Sequence, residues 1–181
     1  MQRGSRAQNR ILEPYMSSFQ LRRLEPRDVD AYRALRLDGL LLHPEAFGAS
    51  FEDEAKQPLD WFANRLAIAT VFGGFDAAGG LMGVAGLTVP SAIKTKHKGI
   101  LWGMYVLEQA RGSGLSRRLV EVVIEEARGR VEQLQLTVVS SNAAAIRLYS
   151  KLGFVGYGLE KRALCVDGQY FDEMLMALAL V

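Results

Sequence analysis

A mixed α/β fold, with a central sheet of about seven strands and about four flanking helices, is what the order of hydrophobic periods in this 181-residue sequence predicts. Segments with helical spacing of apolar residues alternate with short, β-branched, Gly-bounded runs. One such run, Ile100 to Val106 (ILWGMYV), is apolar throughout, the pattern of a strand covered on both faces, and a Gly-containing loop and a helix follow it directly. Near the C-terminus two long apolar runs flank Asp167-Gly168, the pair that a two-residue type I′ turn favours.

In chain order, Phe19 to Leu24 suits an edge strand, which Glu25-Pro26 breaks. Asp28 is placed to cap a helix running to about Leu41, with Leu35, Leu37, Leu40, Leu41 and Leu42 on its buried side and His43-Pro44 as its terminator. Residues 44 to 58 read as an acidic, aromatic loop, and Asp60 to Ala67 as a second helix after Pro58. Thr70 to Phe75 and Leu81 to Val89 read as a hairpin, and Lys94 to Lys98 as a basic loop before the central strand. Leu115, Leu119, Val122, Val123 and Ala127 mark a helix from Leu115 to Arg128. Gln133 to Val139 is the next strand and Asn142 to Lys151 the next helix. Gly153 restarts extended structure, and Phe154 to Val166 and Gln169 to Leu180 are the closing strands.

Composition narrows the classes. With 49% hydrophobic residues, residues 16 to 181 suffice for one domain with its own core, and two domains are not expected. Residues 1 to 15, with Arg3, Arg6 and Arg10 and no apolar period, read as a solvated extension. The single cysteine, Cys165, excludes a disulfide framework. No apolar run approaches the roughly 18 residues of a membrane-spanning helix, and no export signal opens the chain, so a cytoplasmic protein without membrane partner is expected. Lys plus Arg, 22, nearly balance Asp plus Glu, 20, and no aromatics interleave with the basic residues, so no nucleic-acid partner is expected.

Chemistry is concentrated after the central strand, in Val106-Leu107-Glu108-Gln109-Ala110-Arg111-Gly112-Ser113-Gly114-Leu115-Ser116. Glycines let a backbone turn tightly and approach a ligand, and the first turn of the following helix offers unpaired N–H groups and a positive dipole end. Arg111 adds a charge suited to phosphate. The same glycines also serve simply to end a strand and start a helix. A P-loop is disfavoured because Leu115-Ser116 stands where Lys-Ser or Lys-Thr is needed. A dinucleotide fingerprint lacks its third glycine and its acid, since the next strand ends Val139-Ser140-Ser141.

These residues resemble a known family. The segment YVLEQARGSGLSRRLVEVVIEEA is similar to motif A of the GNAT superfamily of acetyl-CoA-dependent N-acetyltransferases: Arg or Gln, two residues, Gly, one residue, then Gly or Ala. Arg111, Gly114 and Ser116 fall on it, with Ser116 a small departure that keeps its N–H. SNAAAIRLYSKLGF, residues 141 to 154, resembles the family's second motif. The resemblance covers about Ser17 to Val181 and implies the family's mixed, mostly antiparallel sheet. It implies that the pantetheine arm of acetyl-CoA, the co-substrate, bonds the backbone of Met104, Tyr105 and Val106. It also implies a pyrophosphate on the amides of Arg111, Gly112, Ser113, Gly114, Leu115 and Ser116, cofactor contact by Asn142, and Tyr149 beside the thioester sulfur. A phenol there can protonate or hydrogen-bond the departing thiolate. By spacing alone Tyr149 reads as a core aromatic, and Asn142 as a helix N-cap.

The resemblance implies direct attack by a primary amine of a small molecule in a ternary complex, with no metal. Many family members carry a Glu on the central strand as general base, and ILWGMYV has none. Glu52, Glu54, His97 and Glu160 are the candidates, and a water relay to Glu160 or Glu52 is favoured. Glu45, Glu52, Asp53 and Glu54 equally suit a wall for a cationic acceptor or a solvated face. The loop HPEAFGASFEDE followed by WFANRL resembles bacterial members assumed to act on small molecules. Two alternatives stand beside this reading: a protein N-terminus or lysine as acceptor, or a noncatalytic acyl-CoA-binding module. Dimerisation through the last strands is common in the family, so the resemblance admits a homodimer here.

Overall fold

Residues 19–181 are described by the computed structural model, and their strands form one sheet. The extension expected at residues 1 to 15, and the domain start at Met16, lie outside the described residues. The strands are β1 (Gln20–Arg23), β2 (Thr70–Phe75), β3 (Leu81–Thr88), β4 (Lys98–Val106), β5 (Gln133–Val139), β6 (Val155–Val166) and β7 (Gln169–Ala179). Their spatial order is β1-β2-β3-β4-β5-β7-β6, antiparallel throughout except for the parallel pair β4 and β5. The helices are α1 (Val29–Leu42), α2 (Phe51–Ala55), α3 (Leu59–Ile68), α4 (Leu115–Ala127) and α5 (Ala143–Lys151). Among the described residues no helix is long and apolar enough to cross a membrane.

The α/β architecture expected from the sequence is present, with one helix more than the periodicity signalled. The acidic loop folds Phe51–Ala55 into the short α2, whose first turn is capped by Ser50, its Oγ accepting the Asp53 N–H at 3.1 Å. Asp28 does not cap α1 through its side chain. Its carboxylate instead accepts the Glu25 N–H at 2.8 Å and both Arg22 Nη atoms at 2.7 Å, which fastens β1 to the turn before α1. Leu35 and Leu40 are buried as expected, but Leu41 and Leu42 are 57% and 59% exposed. The α1 stripe runs Val29, Tyr32, Leu35, Arg36, Gly39, Leu40, the 3.6-residue period carried through an arginine and a glycine that hydropathy does not score as core.

Two apolar clusters lie on the two faces of the sheet. One gathers Leu115, Leu119, Val123 and Ala127 of α4 onto Leu134, Leu136 and Met176. The other packs Tyr32 and Leu35 of α1 and Phe62 and Leu66 of α3 onto Val71 and Val84. Strand alternation assigns residues to the faces, Val71 to one and Phe72 to the other. In β4 the alternation is reset. Trp102 faces Gly86 and Tyr105 faces Val84, so Gly103 and Met104 together oppose Ala85, and Trp102 and Tyr105 both pack on the α1/α3 face. This is a β-bulge, and Gly103 at φ +63° supplies the left-handed residue it needs. Opposite it, a Cβ on Gly86 would lie 2.4 Å from Trp102 Cε2, so glycine there makes room for the indole.

Candidate active site

The bulge coincides with a parting of the sheet. β4 and β5 pair only through Lys98↔Gln133, Gly99↔Leu134 and Ile100↔Gln135, after which β5 continues along β7 and the β5-facing edge of β4 is left without a ladder. A cleft of about 100 Å³ lies there, lined by Met104, Val138, Asn142 and Tyr149 among others. It shares Phe47, Trp102, Gly103 and Thr137 with a cavity of about 320 Å³ that also meets Arg36, Gln135, Tyr157 and Glu173. A third cavity, about 530 Å³, lies between α2, α3 and β4 and shares Arg36 and Trp102 with the second.

At the outer end of the cleft, Glu108–Ala110 form a 3-10 turn, then Gly112 (φ +75°) and Gly114 (φ +88°) swing the chain into α4. The Arg111 amide donates to Glu108 O at 3.0 Å, so it is not one of the open donors. Among the described residues the amides of Gly112, Ser113, Gly114 and Ser116 donate to no backbone carbonyl, and the Leu115 amide reaches only Ser113 Oγ at 3.3 Å. A Cβ at Gly112 or Gly114 would meet nothing within 4 Å, so it would project into the space over this loop. The Arg111 side chain turns inward: Nε donates to Val106 O at 3.2 Å, and Nη2 lies 2.9 Å from His43 Nε2 at the end of α1. Tyr105 points the same way, its hydroxyl donating to Asp38 at 2.7 Å. Burial, then Asp38, push its pKa up to about 12 against an opposing effect of Arg111. Of Met104, Tyr105 and Val106, Met104 lines the cleft, whereas the Tyr105 carbonyl lies toward Gly83 of β3 and the Val106 carbonyl receives Arg111 Nε.

Asn142 caps α5, its Oδ1 accepting the Ala145 N–H at 3.0 Å, and it lines the cleft as well. Tyr149 lies about two turns further along the same side of α5, its ring edge-on to Phe154 with centroids 5.8 Å apart. It is 6% exposed, and burial pushes its hydroxyl up to about 12.

The predicted base candidates scatter. Glu52 is exposed on α2 and lines none of the three cavities. His97 is exposed beyond the paired end of β4, where its carbonyl receives the amides of Glu132 and Gln133. Glu160 is exposed on β6, directly across from Glu173 of β7. Glu173, which sequence reasoning missed, lines the second cavity and is half-buried. Burial raises its pKa above the ordinary carboxylate value, the Thr137 hydroxyl works against this, and the Glu160 charge adds to it.

Glu54 is turned inward. Burial opposes its ionisation, but Arg36 and then Arg65 outweigh that and hold its pKa below the ordinary value. Arg36 Nε and Nη2 donate to its two oxygens at 3.0 and 2.9 Å, and Arg65 Nη1 to Oε1 at 3.2 Å. The acidic loop therefore does not present a negative wall to the cavities. Glu52 and Asp53 face water, and two arginines surround the one acid that faces inward.

Residues 36–154 match the Acetyltransferase (GNAT) family, and the chain belongs to that family of acetyl-CoA-dependent N-acetyltransferases. It is 27% identical over 167 residues to the L-amino acid N-acetyltransferase AaaT of Escherichia coli (strain K12), covering 90% of this chain and 98% of that one. It is 32% identical over 149 residues to the mycothiol acetyltransferase of Thermobispora bispora, covering 77% of this chain and 48%, about half, of that protein. Among solved structures, a GNAT-family acetyltransferase from Streptococcus pneumoniae superposes with a TM-score of 0.80 at 25% identity, covering 91% of this chain and all of that one. The yncA structure from Salmonella typhimurium, which contains acetyl-CoA, gives 0.75 at 24% identity over 91% and 95% of the two chains.

The residues present fit that co-substrate. An unpaired strand edge suits the amides of a pantetheine arm, and a run of open N–H groups at a helix N-terminus suits a pyrophosphate. Gly114→Val would force a β-branched residue to φ +88°, a strain of about 1–3 kcal/mol that the loop can relieve only by moving its amides. Acetyl-CoA affinity measured by calorimetry is expected to fall about tenfold; unchanged affinity removes this loop from the binding site.

Proposed function

We propose that the chain, acting as one catalytic domain over residues 16 to 181, transfers the acetyl group of acetyl-CoA to a primary amine of a small molecule by direct attack within a ternary complex. The cavity of about 320 Å³ at the parting of β4 and β5 carries this reading, because it is the size of a small acceptor and opens on the cleft that holds Tyr149. The name of the relative AaaT, an L-amino acid N-acetyltransferase, supports a small acceptor rather than a protein.

Bound acetyl-CoA supplies an acetyl thioester. The open edge of β4 near Gly103 and Met104 offers backbone N–H groups to the acetyl oxygen as its charge grows. Glu173 accepts a proton from the acceptor's ammonium group, directly or through water, which frees the nitrogen lone pair of the neutral amine for attack. Burial, with a smaller contribution from Glu160 across the strand pair, raises that carboxyl's pKa above the ordinary value, which suits a base. Tyr149, still protonated at neutral pH, gives its proton or a hydrogen bond to the departing thiolate. Cys165, the sole cysteine, lies one residue from the β6–β7 turn and lines none of the cavities, which favours direct attack over a thiol-bound acyl enzyme.

The test is titration with acetyl-CoA, desulfo-CoA, ATP and NAD, followed by acetyl transfer to a panel of small amines and of peptides with free N-termini. Binding confined to the CoA forms, and intersecting initial-rate lines with a small amine, are expected. Parallel lines exclude the ternary complex. Transfer to peptides alone makes the acceptor a protein, and CoA binding without transfer to anything leaves a binding module.

A further inference from the structure

Arg36 is an arginine in the buried stripe of α1, and its surroundings account for only part of its guanidinium. Nε and Nη2 are taken by the two Glu54 oxygens. Nη1 has no hydrogen-bond partner among the described residues, and a Cβ built on Gly103 would stand 3.8 Å from it. The third nitrogen therefore faces the bulge of β4, at the boundary between the second and third cavities, whose walls Arg36 shares. A buried guanidinium held by a bidentate carboxylate on one side and left with a free donor on the other is preorganised for a second oxyanion. The charges agree, since Arg36 and Arg65 against Glu54 leave the third cavity with a surplus of one positive charge. Glu173, the acid in the wall of the second cavity, supplies the opposite sign.

We propose that Arg36 Nη1 binds the carboxylate of the acceptor and that the acceptor is an α-amino acid, its ammonium group in the cavity with Glu173 and its apolar side chain against Trp61 and Trp102 in the larger cavity. This rests on the small-amine reading above and narrows it. Gly103 belongs both to the wall of the thioester cleft and to the neighbourhood of Nη1. An acceptor with its amine at the cleft and its anion on Nη1 carries the two groups close together, as an α-amino acid does. The apolar walls of the larger cavity, Trp61, Ile68 and Trp102, suit an uncharged side chain.

The experiment compares leucine, methionine and phenylalanine with their carboxamides and their decarboxylated amines, measuring kcat/KM for acetyl transfer by the wild-type protein. For at least one series the free amino acid is expected to exceed both derivatives by about tenfold or more, the effect of one charge-assisted hydrogen bond. Because Arg36→Gln alone would leave the buried Glu54 with Arg65 Nη1 at 3.2 Å as its remaining charged partner, the variant is the double substitution Arg36→Gln with Glu54→Gln. In it the ratio of amino acid to decarboxylated amine should fall toward one, and a ratio within one preparation does not depend on how much protein is folded. Amines acetylated as well as their amino acids overturn the carboxylate assignment while leaving the small-amine reading intact. A preference that survives the double substitution overturns the role of Arg36. No transfer to any member while other small amines of the wider panel are acetylated overturns the amino-acid reading alone, and no transfer to that panel either, with acetyl-CoA still bound, overturns both readings.

Discussion

Glu173→Gln is expected to lower kcat by about a hundredfold or more, the range general-base removal produces, while leaving acetyl-CoA affinity at the wild-type level. The carboxyl is half-buried, and burial with the facing Glu160 raises its pKa above the ordinary carboxylate value. A base works only when deprotonated. The wild-type rate should therefore hold above that raised pKa and fall as the pH drops through it, so the acid limb stands at higher pH than an ordinary glutamate would give. In Glu173→Gln that limb disappears along with the rate. Glu160→Gln separates base from neighbour: with the opposing charge gone, the limb should move to lower pH at little cost in turnover. Glu52→Gln should change neither. Stopped or steady-state thiol release across pH 5 to 9 (a range set about the reference pKa values) checks all three. A Glu173→Gln protein with wild-type kcat and an intact acid limb would return the proton to water or to another group.

How much of this site the residues announced depends on whether function is local in the chain. The loop before α4 is local: strand, glycines and helix are contiguous, so the glycines at φ +75° and +88° and the open amides of Gly112, Ser113, Gly114 and Ser116 could be anticipated from Arg111-Gly112-Ser113-Gly114. Asn142 and Tyr149 belong to one capped helix, so their shared place in the cleft wall was legible for the same reason. Glu173 was not. It lies in a strand whose residues alternate between faces, and nothing in QYFDEMLMALA says which acid turns toward the cavity until β7 is registered against β5, Val139↔Glu173, and β6, Glu160↔Glu173. Sequence reasoning reached the opposite member of that cross-strand pair, one position across the ladder from the half-buried acid.

The acidic loop shows the same limit in reverse. Counted along the chain, Glu45, Glu52, Asp53 and Glu54 suggest a negative wall. Folding α2 as a single capped turn directs Glu54 inward and leaves Glu52 and Asp53 in water. Two arginines from other helices, Arg36 and Arg65, then reverse the sign of what the cavity presents. Neither belongs to the loop, and Arg36 sits where a helical wheel expects an aliphatic residue, so only the assembled structure joins them. Trp102 was visible as an aromatic in the central strand. The bulge that aims it and Tyr105 to one face needed the register with Gly86 and Val84 to be seen.

Tyr149→Phe is expected to reduce turnover by about a hundredfold with acetyl-CoA affinity unchanged, because it removes one proton donor and no packing. The ring is 6% exposed and edge-on to Phe154, and phenylalanine preserves that contact, so thermal stability should be near that of the wild type. Burial places the hydroxyl at about 12, which keeps it protonated across the working range and makes it a donor rather than a base. Two consequences separate this from a general loss of structure. The acid limb assigned to Glu173 should persist in the slowed variant, since the base is untouched. No basic limb should be lost either, because a group titrating near 12 contributes none below pH 9 (an interval of about three pH units, over which it stays protonated). Loss of kcat alone, at constant KM for both substrates, is the signature of a contact made only as the thiolate departs. If turnover instead stays at the wild-type level, Tyr149 serves α5 as a core aromatic against Phe154, and the leaving thiolate must take its proton from solvent in the cleft between β4 and β5.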